Sequence, residues 1–186
     1  VWFNAAFAAN EACQYGIAED DIIFTVLPMY ISAVWVTGIF RALFAGVPLA
    51  VDPSFSVSTF WQRVDHYKAT QCFTLGAMHM FLWEAPARDD DATHSLRKLM
   101  AIPMPPAVAG PFCERFNLEL VPQGLGQSEA MRLVAPVAGR TQPPGSCGSV
   151  VPGLEARLVG DDGSDVPDGE PGELWVRPSS PFFIFN

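Results

Sequence analysis

Six apolar or β-branched residues in a row, Ile22-Ile23-Phe24-Thr25-Val26-Leu27, run without a charge up to Pro28. A run this short and continuous is typical of a strand that is buried on both faces. Apolar residues at helical spacing then occupy 32–45, and Gly46 precedes a second apolar run, Pro48-Leu49-Ala50-Val51. Strand, helix and strand in this order predict a βαβ unit with two parallel strands.

The same alternation continues along the chain. Helices are predicted over 56–67, 78–84 and 106–116, and strands over 70–75, 96–102 and 118–122. A helix is also predicted over 2–15, because alanine and aromatic residues recur there at helical spacing and Gly16 follows as a C-cap. The first part of the chain is therefore expected to form a parallel sheet with flanking helices.

The pattern changes after about residue 135. Proline and glycine become frequent, and two segments of alternating character, 154–159 and 172–177, are predicted as strands that flank the acidic turn Asp161-Asp162-Gly163. The expected fold class is therefore α/β, followed by an antiparallel β segment. We predict an α/β unit over 1–135 and part of a β-barrel over 136–186.

Composition excludes several classes of protein. The 186 residues include 20 acidic and 11 basic side chains, a net charge of −9 that argues against a nucleic-acid partner. Hydrophobic residues make up 49% and charged residues 17%, which is typical of a folded chain. No apolar run is long enough to span a membrane, and we expect a cytoplasmic location. Because it begins at Val1 and ends at Asn186 without a cap or stop signal, the chain is expected to be a segment of a longer protein.

Isolated cysteine, histidine and aspartate residues offer no recognisable site. The four cysteines are widely spaced and are expected to be free, buried thiols. His66 and His94 are predicted at the surface, and His79 is predicted to be a packing residue beside Gly76 and Ala77. The run Asp89-Asp90-Asp91 is predicted to be a solvated turn.

Four short motifs follow one another along the chain. They are Leu27-Pro28-Met29-Tyr30-Ile31-Ser32-Ala33, Gly124-Leu125-Gly126-Gln127-Ser128-Glu129, a glycine-containing segment over 145–157, and a segment over 169–177 that includes Gly172-Glu173-Leu174-Trp175-Val176-Arg177. In the second motif, glycines allow close backbone approach, a hydroxyl can bind a phosphate oxygen, and a carboxylate can hold Mg²⁺. In this order the motifs resemble those of the AMP-forming adenylate ligases, which include acyl-CoA synthetases, luciferases and the adenylation domains of peptide synthetases. The resemblance covers essentially the whole chain but only the middle of such an enzyme.

The resemblance implies roles for the second motif. Ser128 matches a threonine that contacts phosphate, and Glu129 matches a glutamate that coordinates Mg²⁺, so these two are the predicted catalytic residues. Leu125 stands where the family usually has a tyrosine stacked on adenine, which leaves only an apolar contact. The predicted nucleotide-binding residues are Gly124, Leu125, Gly126, Gln127 and Ser128.

An acyl site is also implied by the resemblance. Ile31 replaces a histidine or aromatic residue that gates this site in many acyl-CoA synthetases. Amino-acid-activating members have an aspartate near this point, so an amino-acid substrate is disfavoured. The apolar surroundings suit a short or medium acid, and Tyr30 and Trp35 permit a carnitine-like cation. The predicted substrate-binding residues are Tyr30, Ile31, Trp35, Gly76, Ala77 and Met78, with Phe40 beside them.

The implied reaction uses ATP, Mg²⁺ and coenzyme A to convert a carboxylic acid first into an acyl-adenylate and then into an acyl thioester, as in fatty acid metabolism. Two alternatives stay open for the acceptor, namely a carrier-protein thiol or no thiol at all. A further alternative is a non-catalytic homologue that serves as a binding or scaffold domain, since Leu125, Ile31 and the glycine-free segment 101–104 depart from the family pattern. Exposed strand edges also make a homo-oligomer an expectation.

Overall fold

A computed structural model describes residues 16–128, 130–137 and 140–179. The helix predicted over 2–15 and the predicted metal ligand Glu129 lie outside the described residues. The described part forms ten strands and five α-helices, with one π-helix between the first two helices. The strands are β1 Ile23–Thr25, β2 Leu49–Val51, β3 Gln71–Leu75, β4 Lys98–Ile102, β5 Glu119–Leu120, β6 Leu125–Gln127, β7 Ala130–Ala135, β8 Ser149–Val150, β9 Leu154–Val159 and β10 Glu173–Pro178. The helices are α1 Ser32–Val34, the π-helix Trp35–Phe40, α2 Arg41–Ala45, α3 Phe60–Tyr67, α4 Ala77–Glu84 and α5 Pro106–Phe116.

Strands β1 to β5 form one parallel sheet in the order β2-β1-β3-β4-β5. Phe24 on the central strand β1 pairs with Ala50 on one side and with Cys72 on the other. All three residues of β1 are buried, which is why the run shows no polar alternation. The predicted parallel sheet is confirmed, although most of its strands are shorter than the apolar runs from which they were predicted.

Apolar side chains cover both faces of this sheet. One cluster contains Phe24, Phe60, Leu99, Phe112 and Phe116, each at most 1% exposed. A second cluster is built from Leu27, Val34, Phe73, Met100 and Val121. The second cluster lies where β1, β3 and β4 approach the segment that leads to β6, and it forms the floor on which the candidate site rests.

The helix predicted over 32–45 is interrupted by the π-helix Trp35–Phe40. Thr37 Oγ1 donates a hydrogen bond to the carbonyl oxygen of Ala33 at 2.8 Å, which competes with the regular backbone pattern at this turn. Gly38 faces the sheet, where a Cβ atom would lie 3.7 Å from Leu49 Cδ1. A π-turn is wider than an α-turn and is frequent at functional sites.

The remaining strands are antiparallel, as predicted for the end of the chain. Strands β6, β7 and β8 form one sheet, and β9 pairs with β10 in another. Residues 125–127 form the edge strand β6, in which Leu125 pairs with Val134 of β7. The predicted division between residues 135 and 136 falls between β7 and β8 and stays a prediction.

Two predictions about individual polar residues are wrong, and the prediction about the cysteines is right only in part. His94 was expected at the surface, but its ring is half-buried and stacks on Trp61 with the centroids 4.3 Å apart, and burial lowers its pKa. Asp91 was expected in solvent but is buried, because Arg115 Nε donates a hydrogen bond to its carboxylate at 2.7 Å. Of the described cysteines, all free, only Cys72 is fully buried, and burial raises its pKa to about 12.

Candidate active site

A cavity of about 150 Å³ opens at the carboxyl ends of β3 and β4. Its floor contains Phe73 and Leu75 from β3, and Met100 and Ile102 from β4. In parallel sheets, ligands bind outside the carboxyl ends of the strands, because the loops that follow the strands converge there. The location of the cavity therefore follows from the topology of the sheet.

One wall of the cavity comes from α1 and the π-helix. Ser32, Ala33, Val36 and Thr37 all line it. The wider π-turn brings residues at this spacing onto the same face as the first turn. This wall is apolar except for two hydroxyl groups.

The segment before and within β6 forms the opposite wall. Gly124, Leu125, Gly126 and Gln127 all line the cavity, and the three residues of β6 are exposed. A Cβ atom at Gly124 would lie 2.9 Å from the carbonyl oxygen of Val134, so only glycine allows this approach of the two strands. The predicted nucleotide-binding segment is thus placed at the mouth of the cavity, with exposed backbone.

Ser128 follows β6 directly and is exposed. Its Oγ lies 2.9 Å from Oγ of Ser32, so the two hydroxyls share a hydrogen bond. This contact joins the predicted phosphate-contacting residue to the first turn of the opposite wall. Ser32 was not among the predicted site residues, although it directly follows Ile31, which was.

A buried histidine forms hydrogen bonds that connect the strand and the loop at the rim of the cavity. His79 in α4 is fully buried, with Nδ1 3.1 Å from Thr74 Oγ1 and Nε2 2.8 Å from the carbonyl oxygen of Pro103. A carbonyl oxygen can only accept, so Nε2 carries the proton and Nδ1 accepts from the threonine hydroxyl. Burial lowers the pKa of His79, which favours this neutral form.

Gln123 connects the residue next to Pro103 with the segment that contains Gly124. Its side-chain oxygen accepts a hydrogen bond from the Met104 N–H at 2.9 Å, and its side-chain nitrogen donates to the Met104 carbonyl at 3.1 Å. The end of β4 is thereby held against the residue that precedes Gly124. No glycine is needed in segment 101–104 for these contacts.

Arg132 supplies a cation to the cavity wall. It lies on β7, lines the cavity together with Val134, and is 8% exposed. The signal that could have revealed it is a lone charge within the apolar strand Ala130–Ala135, which sequence reasoning did not use.

The predicted acyl-site residues, Phe40 included, do not line this cavity, whereas several of their neighbours in sequence do. Tyr30 is 87% exposed, and Trp35 is 42% exposed with its indole N–H donating to the Met29 carbonyl at 2.9 Å. Gly76 and Ala77 are exposed at the start of α4, and Met78 packs against both core clusters. The cavity itself is lined by their neighbours, including Ser32 after Ile31 and Leu75 before Gly76. The assignment of these residues to the acyl site stays a prediction.

The part of the chain that the structure describes contains neither a cluster of metal ligands nor a membrane-spanning helix. Within that part, no group of three or more histidine, cysteine or acidic residues is arranged to hold a metal ion. Within the same ranges, no helix combines the length and apolar character needed to cross a bilayer.

A parallel sheet with a small apolar cavity at its carboxyl edge, bordered by a glycine-containing strand and paired hydroxyls, defines a small-molecule-binding α/β protein. The family model described as AMP-binding enzyme matches residues 2–182. The chain therefore belongs to the AMP-binding enzyme family.

Individual relatives agree with this membership. The chain is 28% identical over 178 residues to the crotonobetaine/carnitine–CoA ligase of Escherichia coli (strain K12 / DH10B), covering 94% of this chain and 34% of the relative. It is 28% identical over 134 residues to the human long-chain fatty acid transport protein 1, covering 72% of this chain and 20% of that protein. The chain thus spans about a third or less of the curated relatives it matches.

Solved structures share the fold. A benzoate CoA ligase from Burkholderia xenovorans LB400 superposes with a TM-score of 0.78 at 22% identity, covering 95% of this chain and 37% of that chain. The o-succinylbenzoate CoA synthetase of Bacillus subtilis, in complex with ATP and magnesium ion, gives 0.70 at 22% identity, covering 94% and 36%.

Proposed function

We propose that this chain is the acid-binding and part of the nucleotide-binding region of an ATP-dependent, AMP-forming carboxylic acid–CoA ligase. The observation that carries the proposal is the meeting of the cavity with the segment 124–128. A cavity for an acid and an exposed backbone suited to phosphates share one mouth. Family membership and the names of the relatives support the same reaction class.

The proposed reaction has two half-reactions. An oxygen of the substrate carboxylate attacks the α-phosphorus of ATP, the bond from that phosphorus to the bridging oxygen breaks, and pyrophosphate leaves. A thiol, proposed to be that of coenzyme A, then attacks the acyl carbon of the acyl-adenylate and displaces AMP. Hydrogen-bond donors that face the developing phosphoryl charge lower the barrier to the first step.

Within this chain, each proposed role falls to a particular feature. The apolar floor and the π-helix exclude water from the body of the acid. The hydroxyl of Ser128, held by Ser32, donates toward the phosphoryl oxygens. Gly124 to Gln127 hold the nucleotide beside the cavity mouth, and Glu129 is the proposed ligand of Mg²⁺, whose chemistry is to neutralise phosphate charge.

The test is pyrophosphate release by the full-length protein with ATP, Mg²⁺ and a panel of acids that includes short, aromatic and carnitine-like members. The proposal is supported if the unaltered protein releases pyrophosphate only when an acid is present, and if Glu129→Gln lowers this rate by about 100-fold or more. The matched control is Glu119→Gln, which removes an exposed carboxylate from β5 and leaves the rate unchanged. A folded protein that releases nothing with any acid favours the non-catalytic homologue instead.

The choice of acceptor follows from the same assay. Acyl-CoA formation with free coenzyme A supports the CoA ligase, whereas transfer only to a carrier protein, or arrest at the adenylate, identifies the alternatives. A cytoplasmic location and self-association stay predictions, to be checked by fractionation and by sedimentation of the full-length protein.

A further inference from the structure

We propose that His79 and Gln123 are positioning residues, which grip the backbone of segment 102–104 from opposite sides and thereby hold segment 124–128 at a fixed distance from the cavity. This inference rests on the proposed ligase function. It adds to that function two residues that act through the backbone, without a contact to the acid or the nucleotide being required of them.

The first observation is where the parallel sheet stops holding the chain that leads to the nucleotide segment. In the described part of the chain, the last backbone hydrogen bond to β4 runs from the Val121 N–H to the Leu99 carbonyl oxygen, at 2.9 Å. Strand β6 pairs with β7 instead, and the register of that pairing shifts between Leu125 and Gln127. The distance between segment 124–128 and the parallel sheet is therefore set by side chains.

The side chain of Gln123 continues the interrupted pairing. An amide side chain carries a carbonyl oxygen and N–H donors, so it can pair with a peptide group as a neighbouring strand does. Gln123 uses both functions on Met104, whose N–H and carbonyl oxygen lie 2.9 and 3.1 Å from its amide. Because Gly124 follows Gln123 directly, the position of Met104 fixes where the nucleotide segment begins.

The start of α4 holds the same segment from the other side. The Gly76 N–H donates to the Ile102 carbonyl oxygen at 2.9 Å, and His79 Nε2 donates to the Pro103 carbonyl oxygen at 2.8 Å. Three consecutive carbonyl oxygens, those of residues 102–104, are thus bound by Gly76, His79 and Gln123. Segment 102–104 therefore links the turn that begins α4 to the nucleotide segment.

Burial makes this link stiff. His79 and its second partner, Thr74, are both 0% exposed, and Met104 is 4% exposed. Leaving a buried polar group without a partner is costly, so these hydrogen bonds are maintained. Ile102 also lines the cavity, so the link forms part of the cavity wall itself.

The proposed reaction is sensitive to such a link. An oxygen of the acid and the α-phosphorus of ATP have to come within about 3–3.5 Å before the bond between them forms, and a misplacement of about 1 Å can cost roughly 100-fold in rate. The cavity holds one reactant and segment 124–128 the other. Loosening the link should therefore lower kcat more than it weakens the binding of either substrate.

The experiment uses the full-length protein and the acid of the panel that gives the fastest pyrophosphate release. Gln123→Met keeps the length of the side chain and removes both hydrogen bonds, so we expect kcat to fall about 10-fold or more. The KM values for ATP and for the acid are expected to change less than about 3-fold. This split distinguishes misplaced reactants from weakened binding.

Variants of His79 test the other side of the link. His79→Leu removes the donor to Pro103 and is expected to lower kcat in the same way, whereas His79→Gln retains a donor and is expected to restore most of the rate. In a double-mutant cycle, His79→Leu and Gln123→Met should be non-additive in kcat, because both act through segment 102–104.

Two control variants separate positioning from general damage. Gln62→Met makes the same chemical change at an exposed glutamine on α3 and should leave kcat unchanged. Arg63→Met removes the two hydrogen bonds that Arg63 donates to the buried Asp52, at 2.7 and 2.6 Å, and should destabilise the protein. Below its melting temperature, this variant should nevertheless keep the kcat of the unaltered protein.

Hydrogen–deuterium exchange followed by mass spectrometry provides a measurement that needs no turnover. The amides of 124–128 should exchange about 3- to 10-fold faster in Gln123→Met and in His79→Leu, the size expected when one or two hydrogen bonds are lost. The amides of β10 should exchange at the same rate in all the variants. Faster exchange confined to 124–128 and the link supports the proposal.

The outcomes keep this inference separate from the proposed function. Unchanged kcat or unchanged exchange at 124–128 in Gln123→Met refutes the positioning role and leaves the ligase proposal standing, as does an equal fall of kcat in Arg63→Met. If no acid releases pyrophosphate, the ligase proposal fails, and exchange at 124–128 decides whether the link holds that segment. Should His79→Leu fail to fold by circular dichroism, His79→Gln takes its place, and a loss of kcat there as large as in Gln123→Met contradicts the role of the bond to Pro103.

Discussion

Ser32 and Ser128 are 96 positions apart in sequence, and their hydroxyl oxygens are 2.9 Å apart in the structure. The contact bridges the mouth of the cavity from the first turn of α1 to the residue after β6. Each serine hydroxyl can donate or accept a hydrogen bond. When Ser128 donates its hydrogen bond to a phosphate oxygen, Ser32 can therefore become the donor to Ser128. Ser32 is therefore a candidate positioning residue for the proposed reaction.

Replacing Ser32 with alanine tests this coupling. We expect kcat for pyrophosphate release by the full-length protein to fall about 3- to 10-fold with a smaller change in KM for the acid, because a hydrogen bond is worth roughly 1 kcal/mol. Ser32→Thr retains the hydroxyl and is expected to restore most of the rate. In a double-mutant cycle with Ser128→Ala, the two effects should be non-additive. Ser56→Ala, from a second exposed serine pair, is the control, and additive effects would contradict the coupling.

Alanine substitutions at two glycines, Gly148 and Gly110, test the packing of the segment that leads into β8. At Gly148 a Cβ atom would lie 2.0 Å from the Ala135 carbonyl oxygen, and its φ of +106° disfavours any other residue. Gly148→Ala should lower the free energy of unfolding by about 2 kcal/mol or more. Gly110→Ala, inside α5 with nothing within 4 Å, should raise it by about 0.5–1 kcal/mol. Urea denaturation measures the free energy of unfolding of each variant. Equal effects of the two substitutions would refute the close packing inferred at Gly148.

The ion pair between Arg115 and Asp91 is expected to stabilise the loop before β4. Arg115 also donates to the carbonyl oxygens of Trp83 at 2.6 Å and Ala85 at 3.0 Å. Arg115→Met leaves a buried carboxylate and two carbonyls without this donor, so we expect a loss of about 3 kcal/mol in the free energy of unfolding. Arg157→Met, which breaks an exposed pair with Asp165, should cost less than about 1 kcal/mol. A loss at Arg115 no larger than at Arg157 would show that the buried pair contributes little.

The buried imidazole of His79 predicts a dependence of stability on pH. Because burial lowers its pKa below the ordinary 6.5, the unfolded chain takes up this proton at a higher pH than the folded one. The stabilising contribution of the neutral His79 to the free energy of unfolding is therefore fully present above about pH 6.5. It is lost as the pH falls below that value. His79→Gln retains a donor for the Pro103 carbonyl but does not titrate, so its free energy of unfolding should decline less between pH 7 and 5. His94, whose pKa is also lowered, is present in both proteins and cancels; parallel declines would exclude His79 as the cause.

Local pattern was enough to predict the parallel layer. The buried run before Pro28 and the helix over 106–116 were predicted from continuous apolar character and from helical spacing, both of which depend on near neighbours in sequence. The sheet order was not predictable in the same way, since β3 inserts beside β1 only through pairing across 48 residues, as between Ile23 and Gln71.

The missed site residues have a common physical reason. Ser32 and Arg132 line the cavity only because the fold brings distant segments together, and neither stands in a repeating pattern. His94 and Asp91 looked solvated because polar residues usually are, yet a stacked tryptophan and the half-buried Arg115 supply the partners that offset their burial. The π-helix likewise depends on Thr37 and on the fit of Gly38 against the sheet, which apolar spacing alone does not encode.

The double hydrogen bond from Gln123 constrains the two positions that it joins in unequal ways. Both contacts of Gln123 are to the backbone of Met104, so they make no demand on the side chain at 104, which need only be apolar enough to be 4% exposed. At position 123 the amide itself is needed, and a shorter or charged side chain cannot reproduce both bonds. Apolar residues of similar volume should therefore replace Met104 readily, whereas almost any change at 123 loses one of the two bonds. An insertion between α5 and β6 would be tolerated only if it left this one amide facing the end of β4.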